Sequence, residues 1–248
     1  MPAFNEEASI EHVVREWFEA IARETQGFVL LVINDGSTDA TRDILEKLER
    51  EFRPRLEVIH QENVGHGQTC LRGYRSACER RIPFALQIDS DGQCDSRDFS
   101  RFWKSRDSFD VIYGVRRKRE DGWRRVLASR ILQFMLLLRA HVRCADANVP
   151  FRLMKIKQLQ KKLEQIPASF CLANIALAVL LRRDPDIRHG EFSIRFRARY
   201  GGEPSVPLAR FLIKACQLFR QLAWLPKQGG SQPRDNADII PDMPELGQ

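Results

Sequence analysis

The sequence lacks the cysteine and histidine clusters that mark disulfide-stapled or zinc-binding proteins. Its six cysteines are scattered without a C-x-x-C pair, and its five histidines are equally dispersed. We therefore expect reduced thiols in a cytoplasmic protein and no metal site built on histidine.

Long apolar runs are also missing. The longest apolar stretches, residues 131–138 and 171–181, fall short of the roughly 18–20 residues that cross a bilayer. The first residues are acidic and a helix is expected soon after Asn5, whereas a secretory leader has basic residues followed by an apolar run. The sequence thus predicts a cytoplasmic location, and any membrane contact would be peripheral, on the cytoplasmic face.

The chain also lacks the aromatic residues interleaved with basic ones by which proteins bind single-stranded nucleic acid. It is basic nonetheless, with a net charge of +7 and a pI of about 9.3. Such a charge attracts nucleic acid, anionic lipid or phosphorylated ligands, and it is equally typical of a solvated positive face. Because the aromatic platform is missing, we expect no nucleic-acid partner.

Apolar residues in the first half alternate between the spacing of helices and the unbroken runs of buried strands. The pattern predicts strands over residues 28–33, 56–60, 84–88 and 110–113, and helices over residues 10–23, 38–50 and 67–80. Strands that alternate with helices indicate an α/β fold with a mostly parallel sheet flanked by helices. Ligands bind such sheets beyond the carboxyl ends of the strands.

The second half of the chain is richer in helix. We expect helices over residues 123–140, 154–163 and 170–182, a strand over 191–196 and a basic amphipathic helix over 208–225. The amphipathic segments could lie in a membrane interface or pack against the protein itself. Residues 227–248 are rich in Gly, Pro, Asp and Gln, which is typical of a disordered tail.

A short acidic motif, Asp89-Ser90-Asp91, directly follows the predicted buried strand 84–88. If the chain stays extended there, both carboxylates lie on one side, and their repulsion favours a hard divalent cation. Gln93, which is in step with them, would add a neutral oxygen. A solvated acidic turn is the alternative, but the position after a buried strand favours a metal site.

A second polar motif, Asp35-Gly36-Ser37-Thr38-Asp39, also follows a predicted strand. Its glycine permits a tight turn, and the hydroxyl residues or the second aspartate can cap the next helix. Capping explains Asp39 but not Asp35. The Asp35 carboxylate could accept a hydrogen bond from a nucleobase N–H or from a ribose hydroxyl.

Four segments together resemble the family 2 glycosyltransferases, which have the GT-A fold. They are Pro-Ala-Phe-Asn-Glu-Glu at residues 2–7, Asn-Asp-Gly-Ser-Thr-Asp at 34–39, Asn-Val-Gly-His-Gly at 63–67 and Asp-Ser-Asp-Gly-Gln at 89–93. The resemblance implies that the nucleoside of a nucleotide diphosphate-sugar is held by Pro2, Phe4, Glu6 and Asp35. It also implies that the last segment meets a metal and the donor diphosphate.

The second half resembles, more loosely, the polyprenyl-phosphate glycosyltransferases, to which dolichyl-phosphate mannose synthase belongs. The segments are Gly-Val-Arg at 114–116, Arg125 with Ser129, Asp146 leading to Pro-Phe-Arg-Leu at 150–153, and Arg-Tyr-Gly-Gly-Glu-Pro-Ser at 199–205. The resemblance implies that magnesium or manganese is held by Asp89, Asp91 and Gln93. Arg116 and Arg199 would bind the donor, and the acceptor phosphate would be gripped by Arg125, Ser129 and Arg152.

These residues predict an inverting, metal-dependent hexosyltransferase of the cell envelope, with a polyprenyl phosphate at the membrane surface as acceptor. The catalytic residues would be Asp91, Arg125, Asp146 and Arg152. A lipid phosphate is already an anion, so Asp146 would be needed as a base only for a hydroxyl acceptor. The predicted parts are a nucleotide-sugar-binding half (1–115), an acceptor-binding half of the same domain (116–207), an amphipathic helix (208–226) and a disordered tail (227–248).

Three other functions remain open at this point. The acceptor could be a saccharide hydroxyl in polysaccharide or glycolipid synthesis. A nucleotidyltransferase also uses a metal-bound acidic pair, but residues 2–7 lack the Gly-rich, Lys- or Arg-bearing loop typical of that class. A non-catalytic nucleotide-sugar-binding or basic binding module would leave the acidic motifs unexplained.

Overall fold

A computed structural model describes residues 1–80, 82–116, 123–142, 144, 149–167, 170, 172–199, 216–226 and 238–239; for residues 123–131 and 238–239 it describes the backbone alone. The strands are β1 (Pro2–Ala3), β2 (Leu30–Asp35), β3 (Leu56–Gln61), β4 (Phe84–Ile88), β5 (Val111–Val115), β6 (Phe151–Lys155), β7 (His189–Ser193) and β8 (Asp238–Ile239). The helices are α1 (Ile10–Glu24), α2 (Thr41–Phe52), α3 (His66–Glu79), α4 (Phe99–Lys104), α5 (Trp123–Ala140), α6 (Ile156–Leu163) and α7 (Ala173–Arg182). A 3-10 turn spans Ser96–Asp98, and residues 216–221 are also helical.

The strands form two sheets. The first is parallel throughout, in the order β1-β2-β3, and the second has the order β4-β6-β5-β7-β8. In the second sheet β6 runs antiparallel to both β4 and β5, whereas β7 is parallel to β5 and to β8. A cavity of about 190 Å³ lies between the sheets and is lined by residues of β2 and β4.

The register of the first sheet brings its polar loops to one edge. Ala3 pairs with Asn34, and Asp35 pairs with Gln61, so β1, β2 and β3 end side by side. Since parallel strands place their carboxyl ends together, the loops that follow these strands share one rim of the sheet.

Helix α1 packs against the second sheet and α4. Its apolar residues recur at helical spacing, and Trp17 in their midst is fully buried. The Trp17 ring meets Phe151 of β6 edge-on with centroids 5.3 Å apart, and it meets Phe99 at 6.5 Å. Phe151 in turn stacks on Phe102 at 4.3 Å. This aromatic cluster fixes the helix over the second sheet.

The predicted α/β alternation is confirmed, with differences in the second half. The helix predicted over 154–163 begins at Ile156, because residues 151–155 form the strand β6 between β4 and β5. The strand predicted over 191–196 is His189–Ser193. Of the predicted helix 208–225, residues 216–221 are helical and residues 208–215 lie outside the described part. Asp238–Ile239 of the predicted disordered tail form a strand beside β7.

His189 makes the stability of the second sheet depend on pH. It opens β7, and its ring stacks on Tyr113 with centroids 6.0 Å apart. Burial lowers the pKa of His189 to about 4, and the positive charge of Arg182 acts in the same direction. Between about pH 6.5 and pH 4, this ring is therefore protonated in the unfolded chain but stays neutral in the folded state.

We expect the free energy of unfolding to be fully retained above about pH 6.5, the ordinary pKa of histidine, and to fall as the pH drops towards 4. The loss attributable to His189 should be on the order of 2–3 kcal/mol. Denaturant unfolding of the wild type and of His189→Gln at about pH 7.5 and pH 4.5 measures it. An equal loss in the two proteins would contradict the assignment.

Candidate functional site

The loops that follow β1 and β2 are bound to each other. Asn5 takes a left-handed backbone conformation (φ 53°), and its Oδ1 accepts a hydrogen bond from Thr38 N at 2.9 Å. Asn5 N donates to Ser37 Oγ at 3.0 Å, and Glu6 N donates to Thr41 Oγ1 at 2.8 Å. The first two polar segments of the sequence thus form one structure at the rim of the sheet.

Asp35 is buried and organises the neighbouring loop. Its Oδ1 accepts hydrogen bonds from Gln61 Nε2 at 2.7 Å and Val64 N at 2.9 Å, and its Oδ2 accepts one from Gly65 N at 2.9 Å. These bonds fix the loop that leads into α3. The sequence did not reveal this use of the carboxylate, and the predicted role of Asp35 in nucleoside binding stays a prediction.

Asp89 and Asp91 lie directly beyond the carboxyl end of β4. Asp89 Oδ1 accepts hydrogen bonds from Gln87 Nε2 at 3.0 Å and from His66 Nε2 at 3.2 Å. Asp91 Oδ1 accepts one from Gln93 N at 3.1 Å. Burial raises the pKa of Asp91, and the negative charge of Asp89 raises it further. The two carboxylates are therefore close enough to repel each other.

His66 and Gln87 were not among the predicted site residues, although each had a signal in the sequence. His66 belongs to the segment 63–67 that carries the family resemblance. Gln87 lies two residues before Asp89, and the period of two in a strand places both on one side. The same period would have identified Gln87 as a neighbour of the acidic motif.

The segment after β7 runs antiparallel along the acidic loop. Cys94 forms a β-bridge with Phe196, and Arg197 N donates to Gln93 O at 2.8 Å. The Gln93 side chain donates through its amide nitrogen Nε2 to Arg197 O at 3.4 Å. The atom of this side chain that a divalent metal would bind is the amide oxygen, which does not take part in that bond. The predicted metal role of Gln93 stays a prediction.

Ion pairs hold this segment against the rest of the site. Arg197 Nη2 lies 3.0 Å from Glu16 Oε1 on α1 and 2.7 Å from Asp95 Oδ1. Although burial opposes ionisation of Asp95, hydrogen bonds from Arg97 and Arg197 lower its pKa well below the ordinary value. Two elements distant in sequence are thereby joined beside the acidic loop.

Arg199 lies between two acidic groups of the site. Its guanidinium forms an ion pair with Glu6, which is buried. Burial raises the pKa of Glu6, Arg199 opposes that rise, and the charge of Asp91 adds to it. The structure therefore brings together two residues predicted to bind the donor, Glu6 and Arg199, and one predicted to bind the metal, Asp91. A guanidinium is a group that binds phosphate well, and the predicted role of Arg199 in donor binding stays a prediction.

The other predicted donor residues are Pro2, Phe4 and Arg116, and their roles in donor binding stay predictions. Pro2 is buried in β1, and the Phe4 side chain is 46% exposed beside the first loop. Arg116 follows β5, with its guanidinium over the Phe196 ring at 4.8 Å. Because Phe196 bridges to the acidic loop, Arg116 lies near the rim of the site.

The predicted acceptor residues divide into two groups. Arg152 is fully buried and donates to the backbone carbonyls of Val149 at 3.0 Å and Asn174 at 2.7 Å, so its guanidinium faces the interior in this structure. Its predicted catalytic and acceptor-binding roles stay predictions. The backbone of Arg125 and Ser129 lies in α5, but their side chains are outside the described part, as is the whole of Asp146. Their predicted roles stay predictions.

Two absences hold for the described residues. No cluster of three or more histidine, cysteine, aspartate or glutamate side chains is arranged to hold a metal by itself. Within the same residues, no helix has both the length and the apolar character needed to traverse a bilayer.

The fold and the site define the class of glycosyltransferases with a GT-A fold. Residues 1–178 match the family described as Glycosyl transferase family 2, and the chain belongs to that family.

Curated relatives include undecaprenyl-phosphate 4-deoxy-4-formamido-L-arabinose transferases. The protein of this name from Serratia proteamaculans is 26% identical over 138 residues, which cover 55% of this chain and 41% of the relative. Its counterpart from Pseudomonas syringae is 29% identical over 128 residues, which cover 50% of this chain and 37% of the relative. The matched segments thus span about two fifths of the length of these relatives.

Solved structures confirm the fold. Glucosyl-3-phosphoglycerate synthase from Mycobacterium tuberculosis, in complex with Mn²⁺, UDP-glucose and phosphoglyceric acid, aligns with a TM-score of 0.64 at 18% identity, covering 92% of this chain and 79% of that one. Mannosyl-3-phosphoglycerate synthase from Rubrobacter xylanophilus aligns with a TM-score of 0.56 at 14% identity, covering 90% and 71%.

Gly36 provides a direct test of how the rim is built. Its φ is +72°, and an added Cβ would lie 2.7 Å from Asn63 N. We expect Gly36→Ala to lower the free energy of unfolding by about 1–3 kcal/mol, because both the backbone conformation and the contact become strained. Gly27→Ala is the matched control, since nothing lies within 4 Å of its added Cβ. Denaturant unfolding should separate the two variants, and equal stabilities would contradict this description of the rim.

Proposed function

We propose that this glycosyltransferase moves a sugar, with inversion, from a nucleotide diphosphate-sugar to a polyprenyl phosphate at a membrane surface. The observation that carries the proposal is the pair of carboxylates, Asp89 and Asp91, held at the end of β4 next to Arg199. Family membership supports glycosyl transfer. The names of the curated relatives support a lipid phosphate as the acceptor.

The acidic pair fits a divalent metal, magnesium or manganese. Burial and the negative charge of Asp89 disfavour the ionised form of Asp91. A cation bound between the two carboxylates would stabilise that ionised form. The site would use Asp89, Asp91 and the Gln93 amide oxygen, and the donor diphosphate would complete the ligand set. When bound, the metal neutralises the charge that develops on the departing diphosphate.

The residues of the chain would then position the two substrates. Arg199, which contacts Glu6 in this structure, would exchange that partner for donor phosphate. Pro2, Phe4 and Asp35 would hold the nucleoside on the rim formed by the first two loops. Attack on the anomeric carbon from the face opposite the diphosphate inverts its configuration.

The acceptor side would be electropositive. Arg125 and Ser129 on α5 would hold an acceptor phosphate, which is an anion and needs no general base. A saccharide hydroxyl would instead require a base, and Asp146 would take that role. Extraction of the labelled product into organic solvent favours the lipid acceptor, whereas a product that stays in water favours the saccharide.

An exposed apolar surface fits contact with a membrane. Arg183 joins the end of α5 to the segment 216–226, since it donates to Ala140 O at 3.1 Å and Pro226 O at 2.8 Å. The two elements expose large apolar side chains, namely Phe134, Leu137, Leu138, Phe219 and Trp224. Arg139 lies over the Phe219 ring at 5.6 Å and adds positive charge. Apolar and basic groups side by side are typical of surfaces that bind anionic lipid.

Replacing Asp91 tests the catalytic proposal. With purified protein, Mn²⁺ or Mg²⁺ and a panel of nucleotide diphosphate-sugars, Asp91→Ala should lower nucleoside diphosphate release by roughly 100-fold or more. Asp107→Ala, which changes an exposed carboxylate, should leave release unchanged. Retained turnover in folded Asp91→Ala would exclude the proposed metal role.

Sedimentation with vesicles tests the membrane contact. The triple variant Phe134→Ser, Phe219→Ser and Trp224→Ser should lose most binding to vesicles rich in anionic lipid, because it removes the three aromatic side chains among the five large apolar ones on this surface. Val29→Ser is the control, since Val29 is also exposed but lies before β2. If the triple variant sediments like the wild type, the proposed surface does not bind lipid.

A further inference from the structure

A chain of buried polar side chains ends on Asp89. Gln87 Nε2 donates to Asp89 Oδ1 at 3.0 Å. The Tyr74 hydroxyl lies 3.4 Å from Gln87 Oε1 and 2.9 Å from Asn174 Oδ1. Gln87, Tyr74 and Asn174 are each 4% exposed, so water competes little for these bonds.

Gln87 is the one polar residue in β4, whose sequence is Phe-Ala-Leu-Gln-Ile. Burying an amide costs free energy unless both its nitrogen and its oxygen find partners. An apolar side chain would suit packing alone at this position. A buried amide at this position therefore indicates a role that depends on its hydrogen bonds.

The orientation of the Gln87 amide is set by Asp89. An ionised carboxylate can only accept, so Nε2 faces Asp89 and Oε1 faces Tyr74 at 3.4 Å. The single proton of the Tyr74 hydroxyl goes to Asn174 Oδ1, which is the nearer acceptor at 2.9 Å. Arg152 donates through Nη1 to the backbone carbonyl of Asn174 at 2.7 Å and so helps to hold this residue in place. The chain thus connects the buried Arg152 to the acidic loop through α7, α3 and β4.

We propose that Gln87 is a positioning residue that orients the Asp89 carboxylate towards a divalent metal, with the Tyr74 hydroxyl, which Asn174 anchors, next to its amide oxygen. The proposal rests on the proposed function, because it requires a cation at Asp89 and Asp91. Partners that orient a metal ligand typically change metal affinity about 10–100-fold when they are removed. His66 donates to the same Asp89 oxygen from the solvent side and is not part of the buried chain.

The test is Mn²⁺ binding by the purified chain, measured by electron paramagnetic resonance with a nucleoside diphosphate present. Gln87→Met keeps the length of the side chain and removes the hydrogen bond to Asp89, and it should raise the Mn²⁺ dissociation constant about 10-fold. Tyr74→Phe should raise it by a smaller factor, because the bond from Gln87 to Asp89 stays and only the hydroxyl beside the amide oxygen is lost. Tyr113→Phe is the matched control, since it removes a buried tyrosine hydroxyl that has no hydrogen-bond partner among the described residues, and it should leave Mn²⁺ affinity unchanged.

The outcomes separate this inference from the proposed function. If Asp91→Ala binds Mn²⁺ like the wild type, the metal site itself is wrong. If Asp91→Ala loses Mn²⁺ but Gln87→Met binds it normally, the positioning role alone is overturned. Should Gln87→Met fail to fold, Gln87→Asn decides, since it keeps an amide but shortens the side chain away from Asp89. Unchanged Mn²⁺ affinity in that variant overturns the role, and a weakened affinity supports it.

Discussion

Repulsion between the carboxylates of Asp89 and Asp91 is the interaction on which the rest of the site depends. The loop that carries them is partly buried, so water does little to screen their charges, and the pKa of Asp91 is raised. Neighbouring groups offset this repulsion incompletely. Gln87 and His66 donate to Asp89, while Arg199 lies near Asp91 and forms its ion pair with Glu6. Because two carboxylates repel each other beside an arginine, the site favours binding of a cation together with an anionic ligand.

The surrounding loops serve to hold that arrangement in place. Asn5 binds the loop after β2, Asp35 binds the loop before α3, and Arg197 binds the acidic loop to α1. Many polar side chains of the family motifs therefore form hydrogen bonds within the protein. Their contribution to ligand binding is partly indirect, because they shape the rim where the donor would lie.

Periodic apolar patterns made the α/β fold and most of its elements predictable, and β4 and α5 have the predicted bounds. Strand β6 was missed because it leads directly into α6 and carries Arg152, a residue type that is seldom buried. Only the three-dimensional packing brings the Asn174 carbonyl to that guanidinium. The acidic pair could be predicted because a short motif directly follows a buried strand. The Tyr74–Asn174 contact could not, because the two residues are 100 positions apart.

The most direct measurement is the anomalous diffraction of Mn²⁺ in crystals grown with a nucleotide diphosphate-sugar. We expect a manganese peak about 2.2 Å from an Asp91 carboxylate oxygen, with the donor diphosphate on its other side and Arg199 turned from Glu6 towards phosphate. A donor bound elsewhere, with no manganese at residues 89–93, would contradict the central claim.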